Sequence, residues 1–267
     1  METFTSGGFK IAYDDIAPAS PPAGTVILVH GFATNRAENW QRLGWYTAFG
    51  RRGFRVVAFD QRGHGESEKP HDPLAYDRAA MVGDIVALLD HLDIGRADLM
   101  GYSMGARLSL EAALNHPSRV ANLLLGGIGG QMLPGAERKA PASPMTMAEA
   151  MQAEDPASIT DPTMKGFRQF ADQQGDDRLA LAACSQGQGA PVDIAVLQGL
   201  FVPTLVVAGS RDHLAGDPQA LADAIPGAKS VTLQGCDHFS AIPHALYKAA
   251  VFDFLDGWLE DMPEHLR

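Results

Sequence analysis

Gly101-Tyr102-Ser103-Met104-Gly105 is a G-x-S-x-G stretch, preceded by the short apolar run Ala97-Asp98-Leu99-Met100 and followed by a helix-like segment from Ala106 to Asn115. Strand, sharp turn and helix, in that order, are what a nucleophile elbow requires: the turn holds its serine in a strained backbone conformation with the hydroxyl exposed. Glycines fit on either side because side chains there would collide with the adjoining strand and helix. The pentapeptide alone is a weak pattern, and its surroundings decide how it reads.

Upstream, Thr25-Val26-Ile27-Leu28-Val29 runs into His30-Gly31-Phe32, and Phe54-Arg55-Val56-Val57-Ala58-Phe59 runs into Asp60-Gln61-Arg62-Gly63-His64-Gly65-Glu66-Ser67. Downstream, Pro203 to Gly209 reads as a strand that ends at Ser210-Arg211-Asp212, and Val231-Thr232-Leu233 leads to Asp237-His238-Phe239. The chain order is therefore Ser, Asp, His. In these five motifs, from about Phe9 to Leu259, the chain resembles the α/β-hydrolase superfamily. The D-x-R-G-H-G-x-S segment resembles its esterase, haloperoxidase and epoxide-hydrolase branch.

Short apolar runs at Val26–Val29, Arg55–Phe59, Asp98–Met100, Leu123–Leu125, Thr204–Ala208 and Val231–Leu233 read as buried strands, with Phe9–Tyr13 as an antiparallel edge strand. Helical patterns lie at Trp40–Arg52, Tyr76–Leu92, Met104–Asn115, Pro218–Ala224 and Ala245–Leu259. Alternating strands and helices predict an α/β fold with a mostly parallel central sheet flanked by helices. Ligands in such sheets bind beyond the carboxyl ends of the strands, where His30, Ser103, Asp212 and His238 fall. The alternation stops between Gly129 and Gly199, where no run is strand-like. Thr146-Met147-Ala148-Glu149 fits a capping box, and Gly166–Gln174 and Asp177–Ser185 read as two more helices. By resemblance this stretch is a helical cap: residues 1–129 and 200–267 form the core and 130–199 the cap insertion.

A serine hydroxyl is a weak nucleophile until a base takes its proton. Histidine suits that task because its ordinary pKa of roughly 6.5 lies near working pH, and a buried carboxylate fixes its tautomer. The expected roles are Ser103 as nucleophile, His238 as base and acid, and Asp212 as orienting acid. Among the rivals, His213 adjoins Asp212 and Asp237 adjoins His238, so side chains would diverge in each pair. For His30 the resemblance implies a buried structural role, and His64 and Asp60 read as structural, Asp60 bracing the turn through Arg62-Gly63-His64-Gly65. The other place for the acid in this fold, Gly126-Gly127-Ile128-Gly129, carries no carboxylate. The resemblance implies an oxyanion hole from the backbone N–H groups of Met104 and Phe32. Both side chains are large and apolar and would flank the reacting carbon. Five of the ten methionines lie between Gly129 and Gly199, and methionine lines adaptable apolar pockets. Met147 and Met151 are therefore expected to join Phe32 and Met104 in binding substrate.

The expectation is a serine carboxylesterase for small to medium apolar esters, needing no cofactor and no metal: no metal-ligand spacing, P-loop or G-x-G-x-x-G after a strand is present. Lactone, thioester, polyester or carbon–carbon bond hydrolysis, or perhydrolysis, could use the same three residues. Members of this fold that open epoxides or displace halide carry aspartate at the elbow. A slow-turnover ligand receptor is a further alternative, separated from an enzyme by multiple turnover on an activated ester. A net charge of −11 argues against nucleic acid as a partner. No basic, apolar leader and no run long enough for a membrane span are visible, so a cytoplasmic protein that does not contact membranes is expected. Cys184 and Cys236 read as two free thiols. Oligomeric state is left open.

Overall fold

The computed structural model describes residues 1–136, 145–187 and 192–258. The chain opens with a hairpin of β1 (Glu2–Ser6) and β2 (Phe9–Ile16). Gly7 and Gly8 join them at φ 56° and 89°, the positive pair that a tight two-residue hairpin turn needs. Then follow β3 (Gly24–Val29), α1 (Trp45–Arg51), β4 (Phe54–Phe59), α2 (Arg78–His91), β5 (Ala97–Tyr102), α3 (Met104–Asn115) and β6 (Val120–Gly126). Between β6 and the next strand lie α4 (Met147–Gln152), α5 (Pro162–Gln174), α6 (Arg178–Gln186) and α7 (Ile194–Leu197). The chain ends in β7 (Thr204–Gly209), α8 (Pro218–Asp223), β8 (Lys229–Leu233) and α9 (Ala245–Leu255).

The sheet order is β1-β2-β4-β3-β5-β6-β7-β8; the β1/β2 and β2/β4 pairs are antiparallel and the others parallel. Successive side chains of a strand point to opposite faces, and the central strands are apolar on both. Ile27, Val29, Leu99, Leu123 and Leu125 pack in one core with Ile85, Leu108 and Leu221 of α2, α3 and α8. Val26, Leu28, Met100, Leu124 and Leu205 pack in the other with Phe49 of α1 and Val251 of α9. Met151, Phe167 and Leu181, from α4, α5 and α6, extend the first core past the ends of the strands. The chain leaves β3 toward β4 on one side and returns to β5 on the other. A crevice opens where the order reverses, between the loops carrying Phe32 and Ser103.

Four expectations are corrected. Phe9–Tyr13 lies within β2, which is flanked on both sides; the edge is β1, whose polar sequence Glu-Thr-Phe-Thr-Ser hides a strand that the hairpin turn brings into register. The helix expected over Trp40–Arg52 is a π-helical turn, Ala37–Gln41, followed by α1, because Gly44 at φ 76° ends one and starts the other. The start expected at Tyr76 belongs to a separate 3₁₀ turn, Pro73–Tyr76, and α2 begins after the Asp77 cap, whose side chain accepts from Ala79 N. Val231–Leu233 is not buried throughout: β8 pairs only with β7, and Thr232 is exposed. In the insertion, Asp161 and Asp177 cap α5 and α6 at the N-terminus, and the expected capping box of Thr146 and Glu149 starts α4. Leu259, the expected end of the last helix, lies outside the described residues.

Candidate active site

Ser103 stands at φ 53°, ψ −115° between β5 and α3. A non-glycine residue in that region is strained by about 1–3 kcal/mol. The neighbours hold it there: Ser103 N–H donates to Gly126 O at 2.8 Å across β6, and Arg107 N–H returns to Ser103 O at 3.1 Å in the first turn of α3. A Cβ on Gly101 would run into Gly105 O and the Ala106 backbone, and one on Gly105 into the Val29 and His30 carbonyls. Both glycines are thus required by close backbone approach.

His238 lies beyond β8 with Nε2 2.9 Å from Ser103 Oγ and Nδ1 2.8 Å from Asp212 Oδ2. Asp212 is buried beyond β7; its other oxygen, Oδ1, accepts from Leu214 N at 3.0 Å and Ala215 N at 2.9 Å. Those two amides fix the carboxylate from behind while Oδ2 faces the imidazole. Tyr102 Oη donates to the His238 carbonyl at 2.6 Å and so ties the histidine loop to the elbow. Burial pushes the Tyr102 phenol well above its ordinary value, so it remains a donor. The rings of Tyr102, Phe239 and Phe167 surround the imidazole, with centroids 5.5, 5.7 and 6.2 Å away. A Cβ on Gly127 (φ 66°) would press on the Tyr102 ring and His238 Cε1, so the place after β6 is kept free of side chain.

The rivals are engaged elsewhere. His30 is buried: its Nε2 accepts from Gln61 N at 2.9 Å and Nδ1 faces Gly31 O at 2.7 Å. Burial pushes His30 down to about 4 and His64 to about 3, the latter helped by the neighbouring His30. Both are therefore neutral at working pH, and they pack against each other at a centroid distance of 5.2 Å. Asp60 Oδ1 accepts from Arg36 N and Oδ2 from Glu66 N, both at 2.8 Å, and the carboxylate pairs with Arg36. It braces its own turn. Asp237 accepts from Ser240 and Phe239 N, and the Ser240 hydrogen bonds hold its carboxyl below the usual range. His213 lines the cavity in front of Ser103, whereas the Asp212 carboxylate points to His238.

The backbone N–H groups of Phe32 and Met104 have no hydrogen-bond partner among the described residues. Met104 opens α3, where the first amides have no carbonyl a turn earlier. The Phe32 loop is held by Asn39 Oδ1, which accepts from Gly31 N at 3.3 Å, and by Gln174 of α5, whose Nε2 donates to Ala33 O at 3.3 Å. Ala33 itself sits at φ 53°, a strained conformation for alanine.

Two cavities meet at Ser103. The larger, about 960 Å³, lies under α4 and α5, and its walls include Met104, Arg107, Met132, Met147 and His213. The smaller, about 240 Å³, is lined by Leu43, Tyr102, Phe170, Phe239, Ile242 and Pro243 among others. Phe32, Ser103, Phe167 and His238 belong to both. Of the four residues expected to bind substrate, Phe32, Met104 and Met147 reach a cavity. Met151 does not: it is fully buried, one turn beyond Met147 on α4, where α5 and α6 close over it. Arg168 of α5 fixes that turn, its Nη1 donating to Ala150 O at 2.9 Å and Ala153 O at 2.8 Å. Sequence reading missed Tyr102, Arg107, Phe167, Phe170 and Phe239. Tyr102 lay inside the quoted motif, and only its partner, the His238 carbonyl, reveals its role. Among the described residues no group of three His, Cys, Asp or Glu is placed to hold a metal ion, and no helix is long and apolar enough to cross a membrane.

Comparison with known proteins bears on this geometry. Residues 24–165, a little over half of the chain, match the family model described as the alpha/beta hydrolase fold. The chain is 34% identical over 224 residues to the dihydrolipoyllysine-residue acetyltransferase component of the acetoin cleaving system of Pseudomonas putida; the match covers 80% of this chain but only 58% of that protein's length. It is 29% identical over 248 residues to 2-hydroxymuconate semialdehyde hydrolase of Pseudomonas sp. strain CF600, covering 86% of each. Among solved structures, a hydrolase from Pseudomonas aeruginosa PA01 superposes with a TM-score of 0.72 at 27% identity, covering 95% of this chain and 97% of that one.

Proposed function

The chain belongs to the α/β-hydrolase family, and we propose that within it the protein is a cofactor-free serine hydrolase of small to medium apolar carboxylic esters. The observation that carries this reading is the hydrogen-bonded line from Ser103 Oγ through His238 to Asp212, 2.9 and 2.8 Å, opening on a cavity. His238 Nε2 takes the Ser103 proton as Oγ attacks the ester carbonyl. Asp212, held by two amides, keeps the imidazole proton on Nδ1 and stabilises the imidazolium. The N–H groups of Phe32 and Met104 meet the charge that develops on the carbonyl oxygen, a contribution of about 3–4 kcal/mol per donor in comparable sites. His238 then protonates the departing alkoxide and draws a proton from the water that resolves the acyl-enzyme. The apolar walls at Phe32, Met104, Met147 and Phe167 suit an apolar acyl or alkyl group.

A second reading gives the same relay to carbon–carbon bond hydrolysis, and the similarity to 2-hydroxymuconate semialdehyde hydrolase over 86% of both chains favours considering it. A panel of p-nitrophenyl esters of graded acyl length, run beside 2-hydroxymuconate semialdehyde, separates the two. Multiple turnover on the esters, with the semialdehyde much slower, is expected. The reverse order would move the assignment to carbon–carbon hydrolysis, and a single slow turnover on every compound would point to a receptor.

A further inference from the structure

The two backbone N–H groups assigned to the oxyanion hole are held differently. Met104 N–H belongs to the first turn of α3, whose helical backbone sets its direction. Phe32 N–H stands in a loop with an anchor on either side. Before it, Gly31 N donates to Asn39 Oδ1 at 3.3 Å; after it, Asn35 Oδ1 accepts from Ala37 N and Glu38 N at 3.0 Å each. Between these anchors Ala33 sits at φ 53°, a conformation that persists only when the surroundings impose it. Among the described residues, the side chain that hydrogen-bonds the backbone of Phe32, Ala33 or Thr34 is that of Gln174, whose Nε2 donates to Ala33 O at 3.3 Å. Its Oε1 accepts from Asn35 Nδ2 at 2.9 Å, so one amide clasps the loop at two points. Gln174 is the last residue of α5, and Phe167, seven residues earlier on that helix, is two turns away on the same face. The Phe167 ring meets the Phe32 ring at a centroid distance of 5.8 Å. The end of α5 is itself fixed: Gly175 closes the helix at φ 69°, and Asp176 N–H returns to Ala171 O at 3.0 Å.

We infer that Gln174 is a positioning residue for the reaction: through the Ala33 carbonyl it holds the Phe32 N–H toward the oxygen of the tetrahedral intermediate, so that α5 sets how strongly the developing charge is stabilised. This rests on the Ser103 reading given above. Gln174 lines neither of the two cavities and so acts through the loop, not on the substrate. The contact between the Phe167 and Phe32 rings places a side chain but is too weakly directional to fix a peptide plane. The Gln174 hydrogen bond is directional, and a donor turned away from its acceptor loses strength steeply. A donor already aimed costs no reorganisation when the charge appears.

The test uses two variants of matched size. Gln174→Met keeps the length and removes both polar contacts. Gln174→Glu keeps the shape and the acceptor for Asn35 but loses the donor to Ala33 O. On a p-nitrophenyl ester, kcat per folded molecule should fall about tenfold in both, a part of the 10²–10³ lost when an oxyanion donor is removed outright. KM should stay within about twofold, since the interaction lost is one made in the transition state. A trifluoromethyl ketone supplies the second readout, because Ser103 Oγ adds to its carbonyl carbon and leaves the oxygen where the oxyanion would stand. Its affinity should fall by the same factor as kcat/KM, while the pH midpoint of kcat/KM in Gln174→Met stays where it is in the wild type, the His238–Asp212 pair being untouched. Gln174→Glu decides the matter even if Gln174→Met is poorly folded, and thermal melts show which variants retain the fold. Unchanged kcat with a lower melting temperature, a rise in KM in place of the fall in kcat, full activity in Gln174→Glu, or unchanged ketone affinity would each overturn the role of Gln174 and leave the Ser103 reading standing. Absence of turnover on every ester in the wild type would overturn the ester-hydrolase reading and this role with it.

Discussion

Around Ser103 the backbone holds the site, and around Met147 the side chains do. Ser103, Asp212 and the Phe32 loop are fixed by directional contacts: an amide donated to Gly126 O, two amides on Asp212 Oδ1, and Asn39 behind Gly31. The stretch from α4 to α6 packs through the apolar side chains of Met151, Phe167, Ala171 and Leu181, with polar ties from Arg168 to Ala150 O and Ala153 O and from Gln174 to Ala33 O and Asn35. Directional bonds fix reacting atoms to fractions of an ångström, as acyl transfer demands. Apolar packing tolerates volume-conserving change, which suits a wall that selects substrates. Substitutions in the two regions should therefore differ in kind: loss of rate with the fold intact in one, loss of stability or a shift in preference in the other.

The largest separation is expected at the carboxylates. Asp212→Asn should keep its cap on Leu214 and Ala215 through the remaining oxygen, yet lose about 10²–10⁴ in kcat through the wrong imidazole tautomer. Asp60→Asn should lower the melting temperature, because Arg36 is left without its buried partner, and change kcat per folded molecule much less. The opposite pattern would move the orienting acid to Asp60.

Acid should attack the directional region next. His30 and His64 are pushed by burial to about 4 and about 3 in the folded protein, whereas an unfolded histidine takes its proton near 6.5. Stability from these two groups is fully present above roughly pH 6.5 and is lost as pH falls toward 4, at about 1.4 kcal/mol per pH unit for each. Asp176 works the other way: burial raises it to about 6, so its contribution declines as pH rises from 4 to 6, but it is a single and partly exposed group. The histidines should win, and denaturant midpoints should fall between pH 6.5 and 4.5, less steeply in His64→Asn. Midpoints that stay level across that window would mean these histidines are not held neutral.

The smallest effects belong to α4. Met151→Ala should cost about 2–4 kcal/mol of stability and leave the ranking of esters alone, since Met151 touches neither cavity. Met147→Ala should shift the ratio of kcat/KM between short and longer acyl chains by about 1–3 kcal/mol at most, with little change in melting temperature. Equal behaviour of the two variants would remove the distinction between wall and core.

The strand ends were legible because their chemistry is local. Gly101, Gly105 and the apolar runs before Ser103 and Asp212 state a turn and a buried strand without reference to the rest of the chain, and the described geometry brings Ser103, His238 and Asp212 into one hydrogen-bonded line. What escaped depends on partners far off in sequence. Met147 and Met151 are the same residue type one turn apart on one face of α4, and only α5 and α6 closing over the second turn separate them. Tyr102 reads as a variable position of the pentapeptide until its hydroxyl meets a carbonyl 136 residues away. β1 has the composition of a loop and becomes a strand because Gly7 and Gly8 fold it back on β2.

The central claim is that Ser103 Oγ is the nucleophile. Treatment with a fluorophosphonate, followed by intact mass and peptide mapping, should show one label per chain, on Ser103, and none in Ser103→Ala, whose kcat on a p-nitrophenyl ester should fall by about 10³-fold or more. Labelling of a different serine, or unchanged turnover in Ser103→Ala, would contradict it.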